Sequence, residues 1–258
     1  MGVIDLDTVV RKWVENRVGV GNASNKAMDI DWHRVHFSTV SSNCYESTQY
    51  QQQRYGARGS QNTASGRSQV VFTSNYENNT GEVQSHTFQM ERSTDAVVRT
   101  SLTNGFSKGG DVGINVDVPD TISKATASFG NDVQIQQQDD NTVKHAVKWS
   151  LNSTVKAQPY SRTTAKLCVT ETESEFDFDA EVHIRGTVLV KMTNGGGAQT
   201  VSQGDIATIL QDETDKGRFN SDNKVTIQGR KVSWKVAGKL KFKYGISQDT
   251  SVSSESLL

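Results

Sequence analysis

Apolar and polar residues alternate with a period of two along most of the chain. Runs such as QVVFTSNY, SHTFQMERSTDAVVRTSLTNGF, TVKHAVKWSLNSTVK and TTAKLCVTETESEFDFDAEVHIRGTVLVKM read as strands, followed by the turn signal NGGG and by QTVSQGDIATIL, KVTIQG and VSWKVAGKLKFKYG. Several reach about twice the usual strand length of ~5–6 residues, which predicts an extended all-β body of long antiparallel strands. Helical spacing occurs in one place, Asp5 to Val18, where Asp5 or Asp7 can cap and Val9, Val10, Trp13 and Val14 share a face. The polar segment GARGSQNTASGRS reads as a long loop that divides the chain into an N-terminal region, 1–66, and a strand-rich region, 67–258.

The cleanest alternation lies between Lys108 and Gln136, in two arms that mirror each other around Pro119 and Asp120. On the first arm Val112, Ile114, Val116 and Val118 share one face, and Asp111, Gly113, Asn115 and Asp117 share the other. On the second arm Ala125, Ala127, Phe129, Val133 and Ile135 alternate with Lys124, Thr126, Ser128, Gly130, Asp132 and Gln134, and Asn131 is the one break in the apolar row. Each arm is about the ~9–11 residues that a tilted membrane strand requires. The same pattern also describes a half-buried hairpin of a protein that never meets a membrane. Within lipid a lone hairpin would leave backbone groups unpaired, at a cost on the order of several kcal/mol each. Insertion therefore implies that many copies close into a barrel, with apolar rows outward and polar rows lining the lumen. There Asp111, Asp117 and Asp132 outnumber Lys108 and Lys124, which predicts a weak preference for cations.

Two further stripes are complementary in charge. Glu171, Glu173, Glu175, Asp177, Asp179 and Glu181 share one strand face, with Phe176, Phe178, Ala180, Val182 and Ile184 on the other. Lys235, Lys239, Lys241 and Lys243 likewise stand opposite Trp234, Val236, Leu240, Phe242 and Tyr244. The two strands are expected to pair in one sheet, although acids in a row could also collect calcium and lysines in a row could face anionic headgroups.

Composition narrows the function classes. A hydrophobic share of 34% suits strands with half-wet faces, and a formal net charge of -1 gives no global attraction to nucleic acid. No apolar run reaches the ~18 residues of a spanning helix, and the start, MGVIDLDTVV, lacks the pattern of a signal peptide, so the sequence reads as a soluble chain. His33 and His36 lack a third ligand at metal spacing, and no metal or other cofactor is expected. No nucleophile elbow, zinc-protease motif or carboxylate pair with a partner histidine appears, which argues against an enzyme. Cys44 and Cys168 do not make a disulfide framework and read as small, part-buried side chains. Trp32, Phe37, Tyr45, Tyr50 and Tyr55 could form a sugar- or lipid-binding surface, or pack into a core.

Four stretches taken in order carry a resemblance. NNTGEVQSHTFQMERSTDAVVRTSLTNGFS leads a turn into a long Thr- and Ser-dotted strand ending in Gly-Phe, and the alternating block ends in ATASFGNDVQIQQQ. The tryptophan-bearing VKHAVKWSLNSTVKAQPYSRTTAKL follows, and VAGKLKFKYGISQDTSV closes with Gly, an aromatic and a second Gly at short spacing. This order resembles the aerolysin-like family of epsilon and mosquitocidal toxins over about Val70 to Val252. The resemblance implies an elongated architecture of long twisted antiparallel strands with a short N-terminal helix. It places a receptor-binding head at 1–66 and a pore-forming module at 67–258, with the inserting hairpin at about 106–137. It also implies a secreted soluble form, a glycan, lipid or protein receptor on a target-cell membrane, and a homo-oligomer that inserts a β-barrel. A lectin-like protein on the same fold that never inserts is the alternative. Lys108, Lys124 and the acidic residues make these arms more charged than the family's usual Ser, Thr and Gly pattern.

Overall fold

The computed structural model describes residues 2–18, 27–47, 67–137, 141–193, 199–217 and 225–258. Its elements are β1 (Val3–Asp5), α1 (Leu6–Val18), β2 (Ala27–Asp31), β3 (Val35–Glu46), β4 (Arg67–Asn78), β5 (Gln84–Ser107), β6 (Asp111–Asp117), α2 (Asp120–Ala125), β7 (Asp132–Gln137), β8 (Asn141–Ala157), β9 (Ser161–Thr193), β10 (Gln199–Asp205), α3 (Ile206–Asp215), β11 (Val225–Gln228) and β12 (Lys231–Ser256). This is the all-β architecture of long antiparallel strands that the period-two pattern predicts.

Strand β9 is the spine. At ~3.3 Å per residue its 33 residues span about 110 Å, so the body is elongated. One of its edges carries β2, β3 and β4 end to end, and the other carries β10 and then β12. Beyond β12 stands β5, which pairs in turn with β8 and, in parallel, with β1. The N-terminal region thus adds β1, β2 and β3 to the same sheet as the strands that follow it.

Helix α1 starts where its cap predicts: Asp5 accepts hydrogen bonds from the Asp7 backbone N–H at 3.1 Å and the Thr8 hydroxyl at 2.6 Å. The helix buries Leu6, Val10, Trp13 and Val14. Two further helices correct the reading of a single one. The end of QTVSQGDIATIL turns from strand β10 into α3, because Asp205 caps it by accepting from the Ala207 N–H at 3.0 Å and Ile206, Ile209 and Leu210 then bury one helical stripe. Helix α3 is tied back to α1 by the Trp13 indole, which donates to Asp212 at 3.1 Å. The other helix, α2, replaces part of the expected second arm of the hairpin. The NGGG turn lies outside the described residues, but β9 and β10 on either side of it pair antiparallel, Thr193 opposite Gln199. Cys44 and Cys168 are free and part-buried.

The complementary charge stripes meet. Strands β9 and β12 run antiparallel with Lys235 opposite Glu181, Lys239 opposite Asp177, Lys241 opposite Glu175 and Lys243 opposite Glu173. Lys239 reaches Glu175 at 3.0 Å and Asp177 at 3.8 Å, Lys241 reaches Glu175 at 3.2 Å, and Lys243 reaches Glu171 at 3.0 Å. On the other face of the same two strands Phe178, Val182, Ile184, Trp234, Val236, Leu240 and Phe242 are almost fully buried and form the main core. Glu171, Glu175 and Asp177 are thus partners of lysine, and among the described residues no group of three or more His, Cys, Asp or Glu side chains could hold a metal ion. Burial opposes ionisation of Glu175, but hydrogen bonds from Lys239 and Lys241 outweigh it and hold its carboxyl below the usual value of 4.5. A lowered carboxylate contributes stability that is present above its unfolded value and is lost as pH falls through its folded one. The wild-type melting temperature is therefore expected to drop as pH is taken from about 6 to below 4, and Glu175→Gln should flatten that dependence. Lys239→Met should cost about 1 kcal/mol at neutral pH, read by chemical denaturation.

Candidate functional site

The segment singled out by its alternation forms a ribbon with a ladder of its own. β6 and β7 pair antiparallel, with Ile114 opposite Ile135, Asn115 opposite Gln134, Val116 opposite Val133 and Asp117 opposite Asp132. Among the described residues they make a two-stranded sheet separate from the ten-stranded one. The ribbon is thus held to the body by side chains and a few polar bonds rather than by a continuous strand ladder.

Its two faces are as unlike as the sequence suggests. Val112, Ile114, Val116, Val118, Phe129, Val133 and Ile135 are all buried, each at 6% exposure or less, against the main core. Asp111, Gly113, Asn115, Asp117 and Asp132 are exposed. The second arm is shorter than its alternation implies. Pro119, with φ near -55°, leads into helix α2, which buries Ile122, and the residues from Thr126 to Asn131 are not strand. Ala125 and Ala127 consequently stand exposed rather than in the apolar row, Lys124 is exposed, and Thr126 and Ser128 are half-buried and hydrogen-bonded to each other at 2.8 Å. The break at Asn131 has a function in the folded form: its carbonyl accepts from the Val118 N–H at 2.9 Å and closes the ribbon beyond Asp117 and Asp132.

Three anchors fasten the ribbon. At its base the Gly109 N–H donates to Asp7 at 3.0 Å, and Lys108 lies over the Phe37 ring at 4.6 Å. Past α2, Phe129 is pegged edge-on to Phe242 at 5.0 Å and Tyr244 at 6.2 Å. Beside β3 the Ser42 hydroxyl donates to the Asp117 carboxylate at 2.6 Å and accepts from the Asp117 N–H at 3.1 Å, while the Cys44 thiol donates to the Asp117 carbonyl at 3.4 Å. Burial, with the Asp117 carboxylate adding to it, pushes the Cys44 thiol up to about 11, so it stays a protonated donor at neutral pH. The latch residues Ser42 and Cys44 carry no sequence signal of this role, because the pairing joins positions 75 residues apart.

The aromatic set divides. Trp32 and Phe37 come together with ring centroids 6.1 Å apart, and both serve the ribbon base: the Trp32 indole donates to Asp7 at 2.9 Å, and Phe37 packs 5.4 Å from Phe106. Tyr45 stands exposed about 25 Å farther along β3 and donates to Asp179 at 3.1 Å. Tyr50 and Tyr55 lie outside the described residues.

Release of the ribbon into water is strongly unfavourable. Exposing its seven buried apolar side chains at ~1.5–3 kcal/mol each costs on the order of 10–20 kcal/mol, more than the whole stability of a typical domain. The closed form is the stable one in water, and only a second apolar environment can take over the buried row. Removing the polar latch alone should loosen the ribbon without freeing it. Asp117→Ala is expected to speed amide hydrogen exchange across 111–117 and 132–137 by about tenfold, with protection of β9 and β12 unchanged.

No protein-family model and no curated protein matches the sequence. Among solved structures, the chain is similar to a non-toxic crystal protein from Bacillus thuringiensis at a TM-score of 0.50 and 12% identity, over 100% of this chain and 99% of that one. It is also similar to the parasporin-2 toxin of Bacillus thuringiensis that recognizes cancer cells, at 0.43 and 14% over 92% and 79% of the two chains. A further likeness is to a β-pore-forming protein from Brevibacillus laterosporus, at 0.39 and 11% over 98% and 90%. At 12% identity the first likeness is one of fold.

Proposed function

We propose that this protein is a pore-forming toxin or defence protein of the aerolysin-like, epsilon-toxin and mosquitocidal-toxin type, which docks on a cell surface, oligomerises and converts the ribbon between Phe106 and Gln137 into one hairpin of a transmembrane β-barrel. The protein that shares its fold along the whole chain is described as non-toxic, so the fold alone does not carry this reading. The observation that carries it is the ribbon itself, two-faced and paired only with itself among the described residues. It can leave the body by exchanging side-chain contacts while its own backbone ladder stays intact.

In this reading Val112, Ile114, Val116, Val118, Phe129, Val133 and Ile135 exchange the protein core for hydrocarbon, which returns the free energy that release into water would lose. The arms must lengthen as they insert. β6 has 7 residues and β7 has 6, so α2 and the turn after it unfold and extend, bringing Ala125 and Ala127 into the apolar row and Lys124, Thr126 and Ser128 into the polar one. Closure into a barrel supplies the partners for every ribbon edge, which makes the oligomer a condition of insertion. The N-terminal region, 1–66, serves the docking step as the head, and the remainder, 67–258, serves assembly. No described helix is long and apolar enough to cross a membrane, and strands are the crossing elements proposed.

The decisive experiment is dye release from vesicles made of target-cell lipids, read beside a detergent-resistant oligomer on a gel. A tether between ribbon and body should abolish both. Ser42→Cys with Asp117→Cys, in a Cys44→Ser and Cys168→Ser background, is expected to block release when oxidised and to restore it on reduction; oxidised protein that leaks as fast as reduced protein would refute the assignment of the ribbon. Pores are expected to favour cations weakly in planar-bilayer reversal potentials, through Asp111, Asp117 and Asp132, and anion preference would refute this orientation of the faces. A lectin-like protein would bind glycans, release no dye and leave the ribbon closed.

A further inference from the structure

About 20 Å along β9 from the latch, where the strand changes partners, a basic cleft opens. Gly186 sits at the junction with φ near +124°, and a Cβ there would fall 2.0 Å from the Arg34 carbonyl oxygen, so only glycine lets β3 and β9 approach this closely. The Thr187 N–H donates to that same carbonyl at 3.2 Å. The result is a surface cleft of about 730 Å³ whose walls carry Arg34, His36, Arg185, Arg230 and Lys231. These side chains come from three separate stretches of the chain, and His36 stands directly opposite Arg185 across the β3–β9 ladder.

Only Arg230 among these charges is compensated from within the described lining. Asp205 is the one acidic residue among the described residues of the lining, and both its oxygens are engaged, one by the Ala207 N–H at 3.0 Å and the other by Arg230 at 2.7 Å. Among the described residues Arg34, Arg185 and Lys231 have no acidic partner within ion-pair distance. The acids and lysines of β9 and β12 neutralise each other elsewhere on the body, whereas Arg34, Arg185 and Lys231 bring positive charge together here without an acid of their own. Like charges gathered without an acid repel, and an external anion relieves that repulsion.

The chemistry of the walls narrows the ligand. Among the described residues no Phe, Tyr or Trp ring lines the cleft to serve as a broad stacking platform for a neutral sugar, and no large apolar side chain lines it to receive a lipid tail. Gln203 and Gln228 add amide donors and acceptors suited to hydroxyl groups. The volume falls within the ~300–1,000 Å³ of small-molecule sites and far exceeds one tetrahedral oxyanion. Guanidinium groups hold such oxyanions through paired N–H bonds. We infer that the cleft between β3, β9 and the β11–β12 turn binds a segment of a sulfated glycan, several sulfate groups being spread over the basic side chains and the sugar hydroxyls meeting the glutamines. This gives the docking step of the proposed function a ligand class, yet it is measured without any membrane, so its failure and the failure of insertion are separable.

The test uses the whole protein and a heparin-derived hexasaccharide, followed by titration calorimetry at 50 mM and 300 mM NaCl. Wild-type protein should bind, and its affinity should fall by more than tenfold between the two salts. Arg34→Gln with Arg185→Gln should lower affinity at least tenfold at 50 mM salt while circular dichroism and melting temperature stay as in the wild type. The control removes the same charge at exposed Lys156 and Lys166, on a distant part of the body, and should change affinity less than twofold. Absence of binding by the wild type, equal loss in the two double variants, or equal affinity for the fully desulfated hexasaccharide would each overturn the inference. Binding of inorganic sulfate or of phosphoinositide vesicles in place of the hexasaccharide would overturn the assignment to a glycan. Should the arginine pair fail to fold, Lys231→Gln with His36→Gln provides the second variant, judged by the same tenfold criterion.

Discussion

The body depends on the ladder between β9 and β12, where one face of two very long strands is apolar and the other is charged with opposite signs. Strands of this length can slip, because a shift of two residues preserves the in–out alternation. Acid–lysine pairing alone does not oppose that slip, since acids at every second position from Glu171 to Glu181 would still meet the lysines; the steric fit of Gly238 opposite Phe178, where a Cβ would fall 2.6 Å from the ring, does. Individually the acid–lysine pairs contribute only ~0.2–1 kcal/mol, but they act in the same register as the buried row of Phe178, Val182, Leu240 and Phe242. Burial supplies the energy, the glycine opposite Phe178 fixes the alignment, and the charges keep the outer face paired.

Everything else is hung on that frame. On one edge of β9 the N-terminal strands β2 and β3 follow each other in near-continuous register, and the change of partner at Gly186 opens the basic cleft. On the apolar side, the core formed by β9 and β12 gives the β6–β7 ribbon a surface to close against. The ribbon is then bound by two kinds of force with different reach. Apolar burial, on the order of 10–20 kcal/mol, fixes its resting place and makes release into water prohibitive. The Ser42, Cys44 and Asp117 latch, of the order of a hydrogen bond or two, fixes the orientation in which it rests. A membrane can replace the first and an altered local contact can undo the second, as the proposed insertion of the ribbon requires.

The order of residues along the chain made several of these features legible. Strand identity was legible because period two persists over tens of residues, and the pairing of β9 with β12 was legible because six acids and four lysines repeat at the same spacing. The cap at Asp5 marked α1. By contrast α3 begins in a segment that continues the strand pattern, and its signal, Asp205 followed by Ile206, Ile209 and Leu210, is a single short stripe. In the ribbon, the alternation from Lys124 to Asn131 reads as strand, but Pro119 and the burial of Ile122 favour a turn of helix. In the folded ribbon Val133 faces Val116.

The sequence by itself determined the long strands of the body, the apolar and polar faces of the first arm of the ribbon, and which two strands carry complementary charge, because each of these is a local pattern with a fixed period. Only the tertiary structure decided that the apolar face of the ribbon lies closed on the core, that Ser42 and Cys44 hold Asp117, that Trp32 and Phe37 support the ribbon base, and that arginines at 34 and 185 share a cleft with Arg230 and Lys231. Those arrangements join positions tens to hundreds of residues apart, and their geometry exists only after the long strands have been laid in register.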